Sequence, residues 1–473
     1  MTVLRRVGAG AAIAAVLLGY VYFATGGSMR FQPAPTEPRG WDNPGGGYYA
    51  QLAEGFRRGH TYLPFAPDPR MATLVDPYDY GQRDAAGISY LWDASWYRGR
   101  YHLYFTPLPV VFFYLPYHWI AGEHADDAAA AVFFSAWTFV AAVLFVWKAR
   151  SRILWIAFVG FANLIPFALS SARVYEVAIL CATALSATWA VALLRFEEKP
   201  SVRAAAWMSL WLSLAIAARP NLIVLLLPTA LVLWRQERVL RMRAAIAVAI
   251  PLMLAGAGYA GYNMVRFGSP LESGITYQLT YVPMRGLSRC SCKSVPEVVR
   301  FVSNSLQYTF TPPRLVSDFP HVQAATAHID KRVSWPGGEP EEILGIVPMV
   351  PLTLAATAVA LLLLARRQLR AGPLILGGAW LVLFTLSTCW WIVSRYAFDF
   401  QILMLLGTVA CIEEVRTKAL RLLIIALAIY SIVVGILLGF EGRGGAFRAH
   451  SPMSSFQSSG WSRMNAVISA THS

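Results

Sequence analysis

Charged residues are scarce in this 473-residue sequence, since Asp, Glu, Lys and Arg together make up only 14% of it. Hydrophobic residues make up 56%, and the mean hydropathy is +0.48. Soluble domains carry about 25% charged residues, so this composition excludes a soluble globular protein. Long apolar runs recur from near the N-terminus to Phe440. The sequence therefore predicts an all-α polytopic membrane protein.

Acidic residues are fewer than basic ones, with 26 Asp and Glu against 40 Lys and Arg, which leaves a net charge of +14. A basic excess points to nucleic acid when the basic residues form one patch. Here they lie in short clusters between apolar runs, where the rules of membrane orientation place them. We therefore expect membrane lipids as partners and no nucleic acid.

Cysteine is also rare, with five residues in the chain. Cys181, Cys389 and Cys411 lie in or at the ends of apolar runs, where cysteine packs as a small hydrophobe. Cys290 and Cys292 share a polar loop and are too close in sequence for an easy mutual disulfide. We assign none of the five a role.

Eleven apolar runs predict about eleven spanning helices. They lie at 7–24, 128–147, 153–170, 175–194, 203–218, 220–234, 243–262, 343–364, 372–390, 400–412 and 422–440. The predicted organisation is a first transmembrane helix (1–24), an extracytoplasmic loop with juxtamembrane helices (25–127), a transmembrane bundle (128–262), a second extracytoplasmic loop (263–342), C-terminal transmembrane helices (343–440) and an extracytoplasmic tail (441–473).

The stretch Leu91–Gly122 is apolar enough to enter a membrane, yet its first half carries Asp93, Arg98, Arg100 and His102. Three prolines interrupt its second half, and a helix interior tolerates proline poorly. We expect a surface or re-entrant helix that holds a polar, aromatic-rich loop against the ends of the spanning helices.

The distribution of basic residues favours this interpretation. With the N-terminus in the cytoplasm and Leu91–Gly122 on the outer side, the cytoplasmic connections hold eighteen Lys and Arg residues. The short outer turns then hold Arg173, Arg219 and Arg395. If the stretch crossed the membrane, most of the basic residues in the later connections would lie outside instead of in the cytoplasm. The positive-inside rule disfavours that arrangement. The predicted active face is therefore extracytoplasmic.

The first loop offers several carboxylates. Asp42, beside a Gly-rich turn, is either a general base toward an acceptor hydroxyl or an Asx-turn residue. Asp76 and Asp79 flank Pro77 and are either turn formers or ligands of a divalent cation, and we favour turn formers. Asp93 is expected to cap a short helix or to brace the aromatic residues nearby.

The outer turns add further candidates. Glu176 begins a helix, where a charge is costly unless it is paired or solvated, and Arg173 is a possible local partner. Arg219 and Arg395 run against the orientation bias. Guanidinium groups match phosphate oxygens in a bidentate fork, whereas snorkelling to lipid headgroups is the alternative.

These residues resemble the motifs of the GT-C superfamily, integral-membrane glycosyltransferases that use polyprenyl-phosphate-linked sugars. It includes protein O-mannosyltransferases and lipid A aminoarabinose transferases. The matching positions are Asp42 with Tyr48 and Tyr49, His102 with Pro107-Leu108-Pro109, Glu176, and Arg395-Tyr396. The family's Asp-Glu pair is Asp42-Asn43 here, and its Pro-Pro-Leu is Pro-Leu-Pro. Uncharacterised bacterial membrane proteins are more similar, with runs like DASWYRGRYHLYF and YNMVRFGSPLESGITYQL.

The resemblance implies hexosyl or pentosyl transfer from a polyprenyl-phosphate-linked sugar to a lipid or glycan acceptor of the bacterial cell envelope, at the inner (cytoplasmic) membrane. Asp42 would be the catalytic base and Glu176 a second acidic partner. The implied substrate-binding residues are Arg395, Tyr396, Arg219, His102, Tyr49, Asp93 and Tyr101. A divalent cation stays open as a cofactor, without assigned ligands. A transporter or flippase and a non-catalytic envelope-assembly subunit stay open as alternatives.

Overall fold

The computed structural model describes residues 3–32, 47–281, 284–286, 297–328, 341–389, 391–415 and 417–442. Asp42, Cys290, Cys292 and most of the tail 441–473 lie outside the described residues. The helices are α1 (Val3–Ala24), α2 (Tyr48–Arg57), α3 (Tyr80–Ala85), α4 (Leu115–Ala121), α5 (Asp127–Val146), α6 (Arg152–Phe161), α7 (Ile165–Leu169), α8 (Val174–Glu198), α9 (Val202–Ala218), α10 (Leu226–Trp234), α11 (Arg238–Phe267), α12 (Glu297–Phe310), α13 (Ile346–Met349), α14 (Leu352–Ala365), α15 (Ala371–Ser387), α16 (Phe398–Ile412) and α17 (Lys418–Glu441).

The predicted all-α class is confirmed, since helices dominate the described part of the chain. Within it, six helices are long and apolar enough to cross a membrane. They are Arg6–Ala24, Asp127–Val146, Val174–Glu198, Arg238–Phe267, Ser394–Ile412 and Leu420–Glu441. The other apolar helices are shorter, with 10 to 17 residues. Some predicted runs are divided between two helices. The run 153–170 contains α6 and α7, and the run 343–364 contains α13 and most of α14.

Short strands add three two-stranded antiparallel pairs to the helices. They are β1 (Ser95–Tyr97) with β2 (Arg100–His102), β3 (Arg314–Leu315) with β4 (Val322–Gln323), and β5 (Ala325–Thr326) with β6 (Glu342–Ile343). The β1–β2 turn is Arg98-Gly99, with φ of 49° and 70°. Two positive φ values are what a two-residue hairpin turn requires. Sequence reasoning did not predict these strands.

The stretch Leu91–Gly122 therefore divides into a hairpin and a helix. A π-helical turn, Val110–Tyr114, continues directly into α4, and Gly122 ends the helix in the left-handed conformation. The helix of 12 residues is about 18 Å long, against about 30 Å for a hydrocarbon core. Trp119 and Ile120 are 73% and 89% exposed. The helix is thus shorter than the thickness of a hydrocarbon core and presents large apolar side chains outward.

One local prediction in the first loop is confirmed. Asp76 and Asp79 form turns, since their carboxylates accept hydrogen bonds from the backbone N–H groups of Tyr78 (2.9 Å) and Gly81 (2.8 Å). The predicted helix cap at Asp93 is wrong, because a strand and not a helix follows it.

Ion pairs join the connections at one end of the bundle. They are Lys148–Glu198 (2.6 Å), Arg235–Glu197 (2.8 Å) and Arg370–Glu414 (2.7 Å). Exposed ion pairs contribute only about 0–1 kcal/mol each to the stability of a fold. These three pairs nevertheless show which helix ends are neighbours. All three basic residues belong to connections that the charge bias predicts to be cytoplasmic. The opposite ends of these helices surround the candidate site.

Candidate functional site

A cavity of about 550 Å³ lies where helix ends meet, away from the ion-paired connections. Small-ligand sites commonly have about 300–1,000 Å³, so the volume suits a substrate. Helix α8 begins beside the cavity, α9 and α15 end beside it, and the turn before α16 completes that wall. Its charged and amide-bearing side chains are Asp93, Arg219, Asn221, Gln278 and Arg395. Its aromatic side chains are Tyr104, Phe105, Tyr175, Tyr259, Tyr281, Trp391 and Tyr396.

Arg219 follows the last residue of α9 and forms a buried ion pair with Asp399 in the first turn of α16. Its Nε lies 3.1 Å and its Nη2 2.8 Å from Asp399 Oδ2. Asn221 Nδ2 donates to the same oxygen at 2.8 Å. Asp399 is fully buried, whereas the Arg219 side chain stays 17% exposed. The carboxylate therefore holds the guanidinium in place at the cavity wall.

Arg395 is held in a similar way by a different carboxylate. Its Nη1 and Nη2 donate to the two oxygens of Glu341, the latter at 3.0 Å. The indole Nε1 of Trp391 donates to Glu341 Oε1 at 3.0 Å. The Tyr396 ring lies 5.4 Å from Arg219 Cζ and 5.8 Å from Arg395 Cζ, so one ring adjoins both guanidinium groups. The predicted residues Arg219, Arg395 and Tyr396 thus lie together.

Asp93 joins these residues in the cavity, although it lies far from them in sequence. It adopts φ of 59°, a left-handed conformation that Asp tolerates better than most residues. The Tyr175 hydroxyl and Gln278 Nε2 (2.8 Å) donate to its carboxylate. Burial raises the pKa of the Asp93 carboxyl above its ordinary value, and these two hydrogen bonds oppose the rise. Asp93 is therefore a partly buried carboxylate with a raised pKa that lines the cavity.

Glu176 is buried in the first turn of α8, and its Oε2 accepts a hydrogen bond from the backbone N–H of Arg173 at 3.1 Å. This contact satisfies a backbone N–H group at the start of the helix, as a capping glutamate does. Glu176 does not line the 550 Å³ cavity. It lines a much smaller one together with Ser394 and Arg395. It therefore lies on a different side of Arg395 from the candidate site.

Three other predicted residues lie in the packed loop beside the cavity and do not line it. Tyr49 is buried, and its hydroxyl donates to the Thr106 carbonyl at 3.1 Å. Tyr101 and His102 are buried in β2. Burial and the nearby Arg266 lower the pKa of His102 to about 4, so this imidazole is neutral near pH 7. Through Thr106, Tyr49 fixes a part of the chain that does reach the cavity.

Metal binding finds no support in the described part of the chain, where no three His, Cys, Asp or Glu side chains gather closely enough to hold an ion. Asp42, the predicted base, lies outside that part. Its role stays a prediction from the resemblance.

Several cavity residues escaped sequence reasoning. Asn221 lies two residues after Arg219 in ARPN, and Tyr175 directly precedes Glu176 in SARVYE. Their closeness to these predicted site residues is the one sequence feature that could have indicated them. Gln278 lies in YNMVRFGSPLESGITYQL, which was noted as a run without a role. Trp391 lies four residues before Arg395 but belongs to no motif. Glu341, which holds Arg395 without lining the cavity, carries no local pattern, because only the fold brings it to Arg395.

Comparisons with known proteins add no assignment, since no family model matches the chain and no curated protein matches its sequence.

Proposed function

We propose that this protein is a membrane glycosyltransferase that moves a sugar from a polyprenyl-phosphate donor to a lipid or glycan acceptor of the cell envelope. The observation that carries the proposal is the arrangement of Arg219, Arg395 and the Asp93 carboxylate around one cavity. Two cations suit a phosphate leaving group. A partly buried carboxylate with a raised pKa suits a general base.

In this mechanism the acceptor hydroxyl attacks the anomeric carbon of the sugar and gives its proton to a carboxylate. The new carbon–oxygen bond forms as the bond from the anomeric carbon to the phosphate oxygen breaks. The lipid phosphate leaves with an added negative charge, which the guanidinium groups of Arg395 and Arg219 stabilise. The aromatic wall offers flat apolar surfaces for the sugar ring and the isoprenoid chain.

Two carboxylates are candidates for the base. Asp42 is the candidate implied by the resemblance to the GT-C superfamily, and Asp93 is supported by its place in the cavity. Glu176 acts on Arg395 from the side away from the cavity, so we assign it a positioning role. The neutral His102 and the tyrosines Tyr49 and Tyr101 support the loop that carries Asp93.

The proposal includes a topology of about eleven spans in a bacterial inner membrane, with the N-terminus in the cytoplasm and the cavity at the extracytoplasmic face. The clustering of basic connections at one end of the bundle supports this orientation. The exposed apolar side chains of the short helix Val110–Ala121 support its placement on the outer surface.

Mass spectrometry of lipids that co-purify with the protein tests the donor class. A polyprenyl-phosphate sugar in the wild-type protein, reduced in Arg395→Gln, is the expected result. Transfer assays with that lipid should then show losses of at least about 100-fold for the variant that lacks the base, Asp42→Asn or Asp93→Asn. Ile275→Val, a conservative change in the cavity wall, is the matched control. Normal transfer in both carboxylate variants would contradict Asp42 and Asp93 as the base. No transfer by the wild-type protein would contradict the enzyme and favour an assembly subunit or a transporter.

A further inference from the structure

The two carboxylates that hold the cavity arginines differ in how firmly they are held. Asp399 is 0% exposed and accepts hydrogen bonds from both Arg219 and Asn221. Glu341 is 22% exposed, and its partner Arg395 is 14% exposed. Moving Asp399 would leave a charge without solvent or partner, which is costly. Glu341 already reaches solvent, so its carboxylate can exchange its partners for water.

Among the described residues, two side chains bring three N–H donors to the Glu341 carboxylate. Arg395 contributes Nη1 and Nη2, and Trp391 contributes its indole Nε1 at 3.0 Å. Arg395 and Trp391 both line the cavity, whereas Glu341 does not. A guanidinium fork with an added N–H donor is a donor set that also fits the oxygens of a phosphate monoester. The carboxylate and a phosphate would therefore compete for the same hydrogen bonds.

We propose that Glu341 stands in for the lipid phosphate: it satisfies Arg395 and Trp391 in the free protein and rotates into solvent when the phosphodiester of the donor or the phosphate monoester of the product binds. This inference rests on the proposed function. It adds Trp391 as a phosphate-binding residue and Glu341 as a competing anion. The backbone carbonyl of Glu341 accepts a hydrogen bond from Ala327 N–H at 2.8 Å, which holds the backbone in place while the side chain rotates.

The exchange has a consequence for turnover. A phosphate bound beside an unmoved Glu341 carboxylate would meet a like charge on the same guanidinium, which is unfavourable. After displacement, the carboxylate still competes with the bound phosphate for the N–H donors of Arg395 and Trp391. Glu341 therefore weakens phosphate binding and promotes release of the polyprenyl phosphate product.

Binding of farnesyl monophosphate to the full-length protein in phosphatidylcholine nanodiscs tests the inference. Hydrogen bonds to charged groups are worth about 1 kcal/mol more than neutral ones, so Glu341→Gln makes a weaker competitor. We expect this variant to bind about five-fold more tightly than the wild type. Trp391→Phe, which lacks the indole donor, should bind more weakly. If Glu341 instead serves only to orient Arg395, Glu341→Gln will bind equally or more weakly, and the inference is overturned.

Two controls separate the possible failures. Glu342→Gln removes the same charge one residue along, from a side chain that also lies near Arg395. An equal gain in affinity for that variant would indicate a general field effect and contradict the exchange. Farnesol, which lacks the phosphate, measures isoprenoid binding alone. If no variant prefers farnesyl monophosphate to farnesol, the proposed function itself is contradicted.

Discussion

Arg219 and Asp399 lie 180 residues apart in the chain and meet as an ion pair. Two nitrogens of Arg219 donate to Asp399 Oδ2, Nε at 3.1 Å and Nη2 at 2.8 Å. The pair joins the end of α9 to the start of α16, and it places one cation at the cavity wall. Burying two charges costs free energy that their attraction only partly returns. The pair is thus better explained by the position it gives Arg219 than by stability alone.

Removal of one partner should nevertheless destabilise the fold. Asp399→Ala leaves the Arg219 charge without its carboxylate, and such losses cost about 3–5 kcal/mol. We expect a lower thermal unfolding temperature in detergent. Glu414→Ala, which breaks the exposed pair with Arg370, should change stability by about 1 kcal/mol or less. The double variant Arg219→Leu/Asp399→Leu should recover much of the loss, and equal losses in all three variants would contradict this account.

The pH dependence of transfer should show which carboxylate is the base. If Asp93 takes the acceptor proton, the rate falls as the pH drops through its pKa, because only the ionised carboxylate is a base. Burial places this fall above the ordinary pKa of Asp, and the Tyr175 hydrogen bond opposes that rise. Tyr175→Phe should therefore move the acidic limb of the kcat/KM profile to higher pH. Tyr281→Phe, a change of the same kind in the cavity wall, should leave the limb in place, and an unmoved limb in Tyr175→Phe would indicate another base.

The sequence predicted the all-α class because apolar runs report directly on membrane-compatible segments. The predicted count of about eleven spans is not confirmed, since six helices in the described part of the chain are long and apolar enough to cross a membrane. The sequence also singled out Arg219 and Arg395, since a lone basic residue at a turn predicted to face outward violates the orientation bias. Such a bias says nothing about which carboxylate each arginine meets. The partners Asp399 and Glu341 are set by tertiary packing and had to be observed.

The hairpin Ser95–His102 shows a second limit of the sequence. Its turn residues Arg98-Gly99 lie among aromatic residues without clear alternation, and the nearby prolines drew attention to a surface helix. The hairpin changes the role of Asp93, because a strand after it directs the preceding residues toward the cavity. A helix cap, as predicted, would have turned the carboxylate to its own backbone.

Close packing of α17 on the α6–α7 junction gives a prediction about stability. A Cβ added to Gly435 would overlap the backbone carbonyl of Phe161, whereas a Cβ added to Gly377 meets nothing within 4 Å. Backbone cannot move aside as a flexible side chain can, so Gly435→Ala should cost at least about 1–3 kcal/mol. Gly377→Ala should be neutral or slightly stabilising, since alanine favours helix. Thermal unfolding of both variants in detergent measures the difference, and an unchanged Gly435→Ala would contradict the packing.

The proposed topology depends on the short helix Val110–Ala121 staying on the outer surface, because a crossing there would invert every later helix. Labelling from outside with a membrane-impermeant maleimide, on a background without the five native cysteines, tests this directly. Glu123→Cys, just after the helix, should be labelled in intact cells. Lys148→Cys, at the ion-paired end of the bundle and 77% exposed, should be labelled only after the membrane is permeabilised. The opposite pattern would place Arg219, Arg395 and Asp93 at the cytoplasmic face, where an extracytoplasmic acceptor could not reach them.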